Sequence, residues 1–135
     1  MREILFRGKR VGNGEWINGF LSFGNKIVTV RKCYDWRTIY VCDSVEEYKI
    51  DEKTVGQFTG LTDKNGKKIF EGDIVKVKSE YVDETIYFIY YRDCGFKLIY
   101  KPSNGVVNLT NNKSRNIEVI GNIHDNPELL EVQNG

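Results

Sequence analysis

The sequence is poor in the residues that build metal sites, disulfide frameworks and rigid linkers. It has two prolines, one methionine, one histidine and three cysteines in 135 residues. His124 is the only side chain whose ordinary pKa lies close to neutrality, so it is the only natural general base. Cys33, Cys42 and Cys94 are an odd number and lack a C-x-x-C pair. This pattern predicts reduced thiols and argues against a zinc site.

The chain also lacks an excess of one charge and any long apolar run. Twenty basic and 19 acidic side chains give a formal net charge of +1, which argues against broad electrostatic attraction to nucleic acid or to an anionic membrane. No segment approaches the roughly 20 apolar residues of a membrane span. The first residues lack the apolar core of a secretory signal. We therefore expect a cytoplasmic protein without membrane contact.

What the chain does contain is the composition of a β protein, with 13 glycines, eight tyrosines and seven phenylalanines. Aromatic residues are enriched in strands, and short apolar segments recur between turns rich in Gly and Asn. We predict a mainly β, barrel-like single domain over residues 1–135, with N-terminal hairpins and a short C-terminal helical turn capped by Asn126. The predicted strands cover residues 2–6, 15–23, 26–30, 54–59, 85–91, 96–100 and 116–123, and Val106, Val107 and Leu109 indicate a further short strand. Residues 7–14 are predicted as a turn, and residues 44–53 as either a helical turn or a strand.

The segment from residue 55 to residue 77, VGQFTGLTDKNGKKIFEGDIVKV, carries the strongest local signals. Asn65-Gly66 predicts a type I′ hairpin turn, and Gly72-Asp73 predicts a second corner before the next strand. At both turns an aspartate, Asp63 or Asp73, is expected to accept backbone hydrogen bonds. The glycines lack the strand–loop–helix setting of a phosphate-binding loop, so positive φ angles and close packing explain them. This structural motif comprises Gly56, Gly60, Asn65, Gly66, Gly72 and Asp73.

Residues 85–91 form the most apolar segment of the chain. In a strand, one face would carry Ile86, Phe88 and Tyr90, and the other Tyr87, Ile89 and Tyr91. One set fills the core, and the other requires either another layer of this chain or a second subunit. Both alternatives remain open from the residues alone. In the second case, the contact residues for self-association or for a partner are Tyr87, Ile89 and Tyr91.

Two further groups of charged residues have a functional interpretation and a simpler one. Lysines of the central hairpin and of the next strand can contact a nucleic-acid backbone, although lysines also protect strand edges. These are Lys64, Lys67, Lys68 and Lys76. Asp63, Glu71 and Asp73 can hold Mg²⁺ in principle, but turn formation explains the two aspartates. No nucleophile motif accompanies His124, so we predict no catalytic residue, no metal site and no cofactor.

Three segments together resemble the YopX family of phage and prophage proteins. They are MREILFRGKR at residues 1–10, TVGQFTGLTDKNGKKIFEGDIVKV at residues 54–77 and VIGNIHDNPELL at residues 119–130. The resemblance implies a mainly β protein with an SH3-like barrel in its later half, expressed inside a bacterium. It implies no chemistry. One departure is Asp51-Glu52-Lys53-Thr54 in place of Asp-Pro-Glu-Thr, which loosens the start of the strand without threatening the fold.

Three functions follow from these observations. The first is a non-catalytic, self-associating β module of a phage or prophage that binds a host or phage protein. The second is a nucleic-acid-binding barrel that acts in phage replication or transcription. The third is a metal-dependent enzyme that uses Asp63, Glu71 and Asp73.

Overall fold

The protein is built from antiparallel strands, which confirms the prediction of a mainly β fold. The structure, a computed structural model, describes residues 5–22, 26–33, 42–78, 84–110 and 116–131. Its regular helices within these ranges are two 3₁₀-helices, Glu52–Thr54 and Pro127–Leu130. The strands are β1 (Phe6–Lys9), β2 (Trp16–Ser22), β3 (Lys26–Cys33), β4 (Cys42–Lys49), β5 (Gly56–Thr62), β6 (Lys68–Phe70), β7 (Asp73–Val77), β8 (Thr85–Arg92), β9 (Gly95–Tyr100), β10 (Gly105–Asn108) and β11 (Ile117–Asn122).

The chain divides into two compact units, an N-terminal unit, Met1–Gln57, and a C-terminal unit, Phe58–Gly135. In the N-terminal unit the strand order is β4-β3-β2-β1, and the first two residues of β5 pair with β1. In the C-terminal unit, the rest of β5 pairs with β6, and a five-stranded sheet has the order β10-β9-β8-β7-β11. A single domain over residues 1–135 stays a prediction.

Strand β1 lies where the sequence predicted a turn, and Gly8 is the reason. Arg7 and Lys9 point to one side of β1, and Gly8 is the residue between them that faces the buried Ile50 and Ile27. A Cβ at Gly8 would lie 2.5 Å from Ile50 Cδ1. The inward position therefore carries no apolar side chain, and the alternation that marks a strand is invisible in the sequence.

The ambiguous residues 44–53 form mostly strand. Strand β4 runs through Lys49, and a single 3₁₀ turn follows at Glu52–Thr54. The Asp51 side chain accepts a hydrogen bond from Lys53 N at 3.1 Å, and the Thr54 hydroxyl accepts one from Lys9 N at 2.9 Å. These bonds hold the start of β5.

The core of the C-terminal unit covers one face of the five-stranded sheet. Its buried members come from five strands and are Ile69, Val75, Ile89, Leu98 and Ile117. Within the described residues the sheet is not closed, since β10 and β11 are its end strands. The order of strands therefore supports an antiparallel sheet and leaves the SH3-like barrel as a finer proposal.

The turn between β5 and β6 differs from the predicted type I′ turn. Type I′ requires positive φ at both central residues, but only Gly66 has one here, at +83°, and Asn65 does not. Gly66 N donates to Asp63 O at 3.0 Å and Asp63 N donates to Lys67 O at 2.7 Å. This pattern is that of a type I turn followed by a left-handed glycine. The Asp63 side chain favours it by accepting from Asn65 N and Lys67 N, both at 2.9 Å.

The C-terminal motif folds as a side-chain-stabilised turn. Asn122 Oδ1 accepts hydrogen bonds from His124 N and Asp125 N, and Asn126 Oδ1 accepts one from Asn122 N at 3.2 Å. The sequence predicted that the Asn126 side chain caps the following 3₁₀-helix. This prediction is wrong, because the side-chain oxygen accepts from Asn122 N, which precedes it in the chain. A Cβ at Gly121 would lie 2.6 Å from that oxygen, which explains the glycine.

Candidate interaction edge of the C-terminal sheet

The two edges of the five-stranded sheet differ in whether their outward backbone groups have hydrogen-bond partners. At the β11 edge, Lys64 N donates to Ile117 O at 2.9 Å, and Val119 N donates to Asp63 Oδ2 at 3.0 Å. The turn between β5 and β6 therefore bonds to those backbone groups of β11 that do not bond to β7. This is the ordinary way to prevent an edge from pairing with another chain.

Asp63 is the residue that fastens this turn to β11. Its side chain is only 6% exposed and accepts three backbone hydrogen bonds, from Asn65, Lys67 and Val119. Burial raises the pKa of the Asp63 carboxyl. The hydrogen bonds from Val119 N, Lys67 N and Asn65 N, together with the Lys67 charge, lower this pKa by more than burial raises it. The net pKa lies below the ordinary value of an aspartate, so Asp63 is ionised at neutral pH.

At the opposite edge, β10 has backbone groups that point away from the sheet. Leu109 N donates to Phe96 O at 3.1 Å, and hydrogen-bonded pairs alternate in an antiparallel ladder. Val107 and Gly105 therefore bond to β9, and Val106 directs its N–H and C=O outward. Val106 is 45% exposed. Within the described ranges, no strand pairs with this outer side of β10.

A shallow pocket of about 350 Å³ lies beside β10. The rings of Tyr87 and Tyr100 pack in it with centroids 6.0 Å apart and planes tilted by 58°. Hydroxyl groups and apolar surface both line it, which suits a side chain with an apolar body and a polar tip. The lining residues are Thr85, Tyr87, Tyr100, Ser103, Gly105, Val106 and Val107.

The three predicted contact residues of β8 do not form one surface. Tyr87 lies in the pocket, whereas Tyr91 is 48% exposed at the far end of the strand, edge-on to Phe96 at 5.1 Å. Ile89 is 0% exposed and belongs to the core. The prediction of Ile89 as a contact residue is therefore corrected: its face of the strand covers the core, and a partner cannot reach it. On the opposite face, Tyr90 is the exposed member.

The lysines proposed for nucleic-acid contact have neighbours within the C-terminal unit. Lys76 Nζ lies 3.7 Å from Glu84 Oε2 and 3.5 Å from Glu118 Oε1. Lys68 Nζ lies over the Phe58 ring, 5.2 Å from its centroid. Lys64 and Lys67 are exposed in the turn, where the Lys67 charge acts on Asp63. Acidic and aromatic neighbours thus engage part of the predicted basic group.

The three carboxylates considered for Mg²⁺ serve the backbone instead. Asp73, which is almost fully buried, accepts from Phe70 N at 2.7 Å through Oδ2, and Glu71 Oε2 accepts from Tyr91 N at 3.4 Å. Asp63 accepts its three bonds described above. Across the described residues, no group of three or more His, Cys, Asp or Glu is arranged to hold a metal ion.

Three of the four predicted structural glycines have positive φ, +89° at Gly60 within β5, +83° at Gly66 and +92° at Gly72, and the fourth, Gly56, is buried at the start of β5. Cys94 is exposed in the turn between β8 and β9, and Cys33 lies opposite Cys42 in the register of β3 and β4. The sequence indicated a short strand at Val106, Val107 and Leu109 but assigned no function to it or to Tyr100, because no local pattern shows that a strand lies at the edge of a sheet.

No helix in the described ranges is long and apolar enough to cross a membrane.

Comparison with known proteins is consistent with this fold. A search of curated proteins finds no significant match. A crystal structure of protein EF1440 from Enterococcus faecalis is similar, with 25% sequence identity and a TM-score of 0.56, over 96% of this chain and 99% of that one. A family model described as YopX protein matches residues 5–131, and the chain belongs to the YopX family.

Proposed function

We propose that this protein is a non-catalytic accessory protein of a phage or prophage, acting in the cytoplasm of the bacterial host. Its function is to accept an extended strand along the β10 edge, either from a second copy of itself or, in place of that copy, from a host or phage protein. The observation that carries the proposal is the outward N–H and C=O of Val106 beside the Tyr87–Tyr100 pocket.

Strand addition needs these two features together. Backbone hydrogen bonds to an edge strand supply affinity, and a neighbouring pocket for a side chain supplies specificity. Val106 offers the first, and the tyrosine pair offers the second. Two copies can pair their β10 strands antiparallel across a two-fold axis, since each edge then presents the same groups to the other. The net charge of +1 opposes such pairing only weakly.

The finer architecture proposed for the C-terminal unit is an SH3-like barrel. Its support is the turn between β5 and β6, which bonds to Ile117 and Val119 of β11 and so brings a hairpin onto the end of the sheet. A barrel leaves few edges for partners, which makes β10 the distinctive surface.

The two other functions have less support from the contacts. A nucleic-acid site on the central hairpin would have to compete with Glu84 and Glu118 for Lys76. A metal-dependent reaction through Asp63 and Asp73 would have to take carboxylate oxygens away from backbone N–H groups that have few alternatives.

The test is the oligomeric state of Val106→Pro and Val106→Lys, measured by size-exclusion chromatography with light scattering over a range of concentrations. Proline removes an N–H that bonds to nothing inside β9–β10, and lysine is a common guard of strand edges. Val11→Lys is the matched control, because Val11 is also an exposed valine.

We expect the wild-type protein and the Val11→Lys variant to associate, and both Val106 variants to remain monomeric with an unchanged circular dichroism spectrum. Wild-type protein that is monomeric at every concentration contradicts self-association. Folded Val106 variants that associate like the wild type contradict the β10 edge.

A further inference from the structure

Two of the three cysteines lie opposite each other on neighbouring strands of the N-terminal unit. Strands β3 and β4 are antiparallel, and their register pairs Cys33, the last residue of β3, with Cys42, the first residue of β4. The eight residues between them lie outside the described ranges. The fold thus places side by side two residues of the type that can bond covalently to each other.

The pairing of the two cysteines belongs to the main register of β3 and β4. Val30 of β3 lies opposite Val45 of β4. The two cysteines lie three residues further along the hairpin on each strand, so they keep this register. The register is irregular at Lys32 and is regained at the next residue. The irregularity is therefore local, and the cysteines are direct partners across the two strands.

Direct partners on antiparallel strands have nearly the spacing that a disulfide requires. Their Cα atoms are about 5.5 Å apart in a hydrogen-bonded pair and about 4.5 Å apart in a non-hydrogen-bonded pair. Both distances fall within the range of about 4.4–6.8 Å found across disulfides. The Cβ atoms of such partners are about 4.5–5.5 Å apart, and a disulfide requires about 3.5–4.5 Å. The bond therefore needs an approach of the two strands of about 1 Å.

We infer that Cys33 and Cys42 form a reversible disulfide that fastens β4 to β3, with a low-molecular-weight disulfide such as glutathione disulfide as the oxidant. One cysteine thiolate attacks the small disulfide, which gives a mixed disulfide and releases one small thiol. The other thiolate attacks the cysteine sulfur of the mixed disulfide and releases the second small thiol. Two electrons pass from the cysteine pair to the oxidant, and the two thiol protons end on the released small thiols. A reducing thiol pool reverses both steps and restores the reduced thiols that the sequence predicts.

The disulfide would act on the end strand of its sheet. In the strand order of the N-terminal unit β4 comes first, and β3 is its neighbour. A covalent bond at the first residue of β4 restricts the local opening of that strand. The third cysteine, Cys94, is exposed in the turn between β8 and β9 and so provides an internal comparison. The cysteine pair uses no residue of the β10 edge and is independent of the strand addition proposed above.

The experiment titrates the folded, full-length protein with glutathione disulfide in the presence of about 1 mM glutathione. After acid quenching and alkylation of the remaining thiols, trypsin without reductant cuts after Arg37, between the two cysteines. The disulfide then joins residues 33–37 to residues 38–49, and mass spectrometry detects the summed mass less two hydrogens. Cys94 lies on a separate peptide, residues 93–97.

The expected result is oxidation of the pair at low oxidant. A partner thiol on the same short hairpin has an effective concentration of at least several millimolar, and strand pairing raises it further. We therefore expect half of the pair to be joined at a glutathione disulfide concentration at least about 10-fold lower than the one that converts half of Cys94 to its mixed disulfide.

The matched control is a double variant, Cys42→Ser with Asp43→Cys. It moves the thiol by one residue along β4, to the opposite face of the strand, and changes the length of chain between the two thiols by one residue. Circular dichroism checks that it is folded. We expect it to need at least about 10-fold more glutathione disulfide for half oxidation than the wild type. In denaturing urea, where the register is lost, the wild-type protein should show the same rise.

Three results would overturn the disulfide. The first is recovery of Cys33 and Cys42 as separate glutathione adducts at every ratio, without the joined pair. The second is a bond from either of them to Cys94. The third is an equal midpoint for wild-type protein in its folded state and in urea, which would show that closeness along the chain forms the bond without the register.

The fastening of β4 has its own measurement, amide hydrogen exchange of residues 42–49 in the oxidised and reduced wild-type protein. We expect exchange in this strand to be at least about 10-fold slower after oxidation, because local opening must now occur with β4 tied to β3. The Cys33→Ser variant should show no change on exposure to the same oxidant. Equal exchange in the oxidised and reduced wild-type protein would contradict the fastening.

Discussion

The two edges of the C-terminal sheet differ in what their outward backbone groups bond to within the described residues. At β11, the turn between β5 and β6 bonds to Ile117 and Val119 through Lys64 and Asp63. At β10, Val106 keeps its backbone groups directed outward, beside a pocket lined by tyrosines. Of these two edges, as far as the described residues show, the β10 edge is the one suited to strand addition. The difference therefore makes the β11 edge the one that contributes to stability, and the β10 edge the place of the proposed strand addition.

The largest effect is expected from Asp63→Ala at the covered edge. Removing the carboxylate leaves the N–H groups of Asn65, Lys67 and Val119 without their acceptor, and such losses cost about 3 kcal/mol of unfolding free energy in total. Urea denaturation followed by circular dichroism measures it. Asp93→Asn is the control, because Asp93 is an exposed turn residue and its side chain lies 3.4 Å from Arg92 on the surface. A loss for Asp63→Ala no larger than that for the control would show that the turn does not fasten β11.

A second effect is expected at Gly121, also on β11. Gly121→Ala places a Cβ 2.6 Å from Asn126 Oδ1, so the turn that holds Asn122 must shift. Overpacking of this kind costs about 2 kcal/mol. Gly12→Ala is the matched control, since a Cβ there has no atom within 4 Å. Equal unfolding free energies for the two alanine variants would contradict the close contact.

The covered edge also predicts a dependence on pH. The pKa of Asp63 is lowered in the folded protein, so its stabilising contribution is complete above the unfolded pKa of about 3.9 and is lost as the pH falls through the folded value. We expect the urea midpoint of the wild-type protein to fall more steeply between about pH 5 and about pH 2.5 than that of Asp63→Asn. Parallel curves for the two proteins would exclude Asp63 as a contributor.

The smallest effect on stability is expected at the open edge. Val106→Lys should change the unfolding free energy of the monomer by less than about 0.5 kcal/mol, because the side chain is exposed and its backbone groups bond to nothing within β9 and β10. Urea denaturation at a concentration below that of association isolates this term. A loss comparable to that of Asp63→Ala would mean that β10 is covered as β11 is.

Much of the sheet could be predicted from the sequence, because apolar residues mark buried strands directly. The segments of β8, β9 and β11 are apolar enough to be identified, and the hairpin between β5 and β6 has its own turn residues. Asp63 was also expected to bond its turn. Its bond to Val119 was not, since the two residues are 56 positions apart and no local pattern reports such a contact.

The features that escaped prediction have a common physical cause. Gly8 replaces an inward side chain in β1, so that strand shows no alternation. The type I turn at Asn65 depends on hydrogen bonds of the Asp63 side chain, which a dipeptide pattern does not include. Ile89 and Tyr87 have equivalent positions in the alternation, and only the packed sheet shows that the first is buried in the core while the second lines the pocket.

The most direct test of the account is amide hydrogen exchange, resolved by residue with NMR, at low and at high protein concentration. We expect Val119 N–H, which bonds to Asp63, to exchange slowly at both concentrations. We expect Val106 N–H to exchange rapidly in dilute protein and at least about 10-fold more slowly in concentrated protein, once β10 pairs with a second copy. Slow exchange of Val106 in dilute protein, or rapid exchange at every concentration, would contradict an edge that is open in the monomer and paired in the assembly.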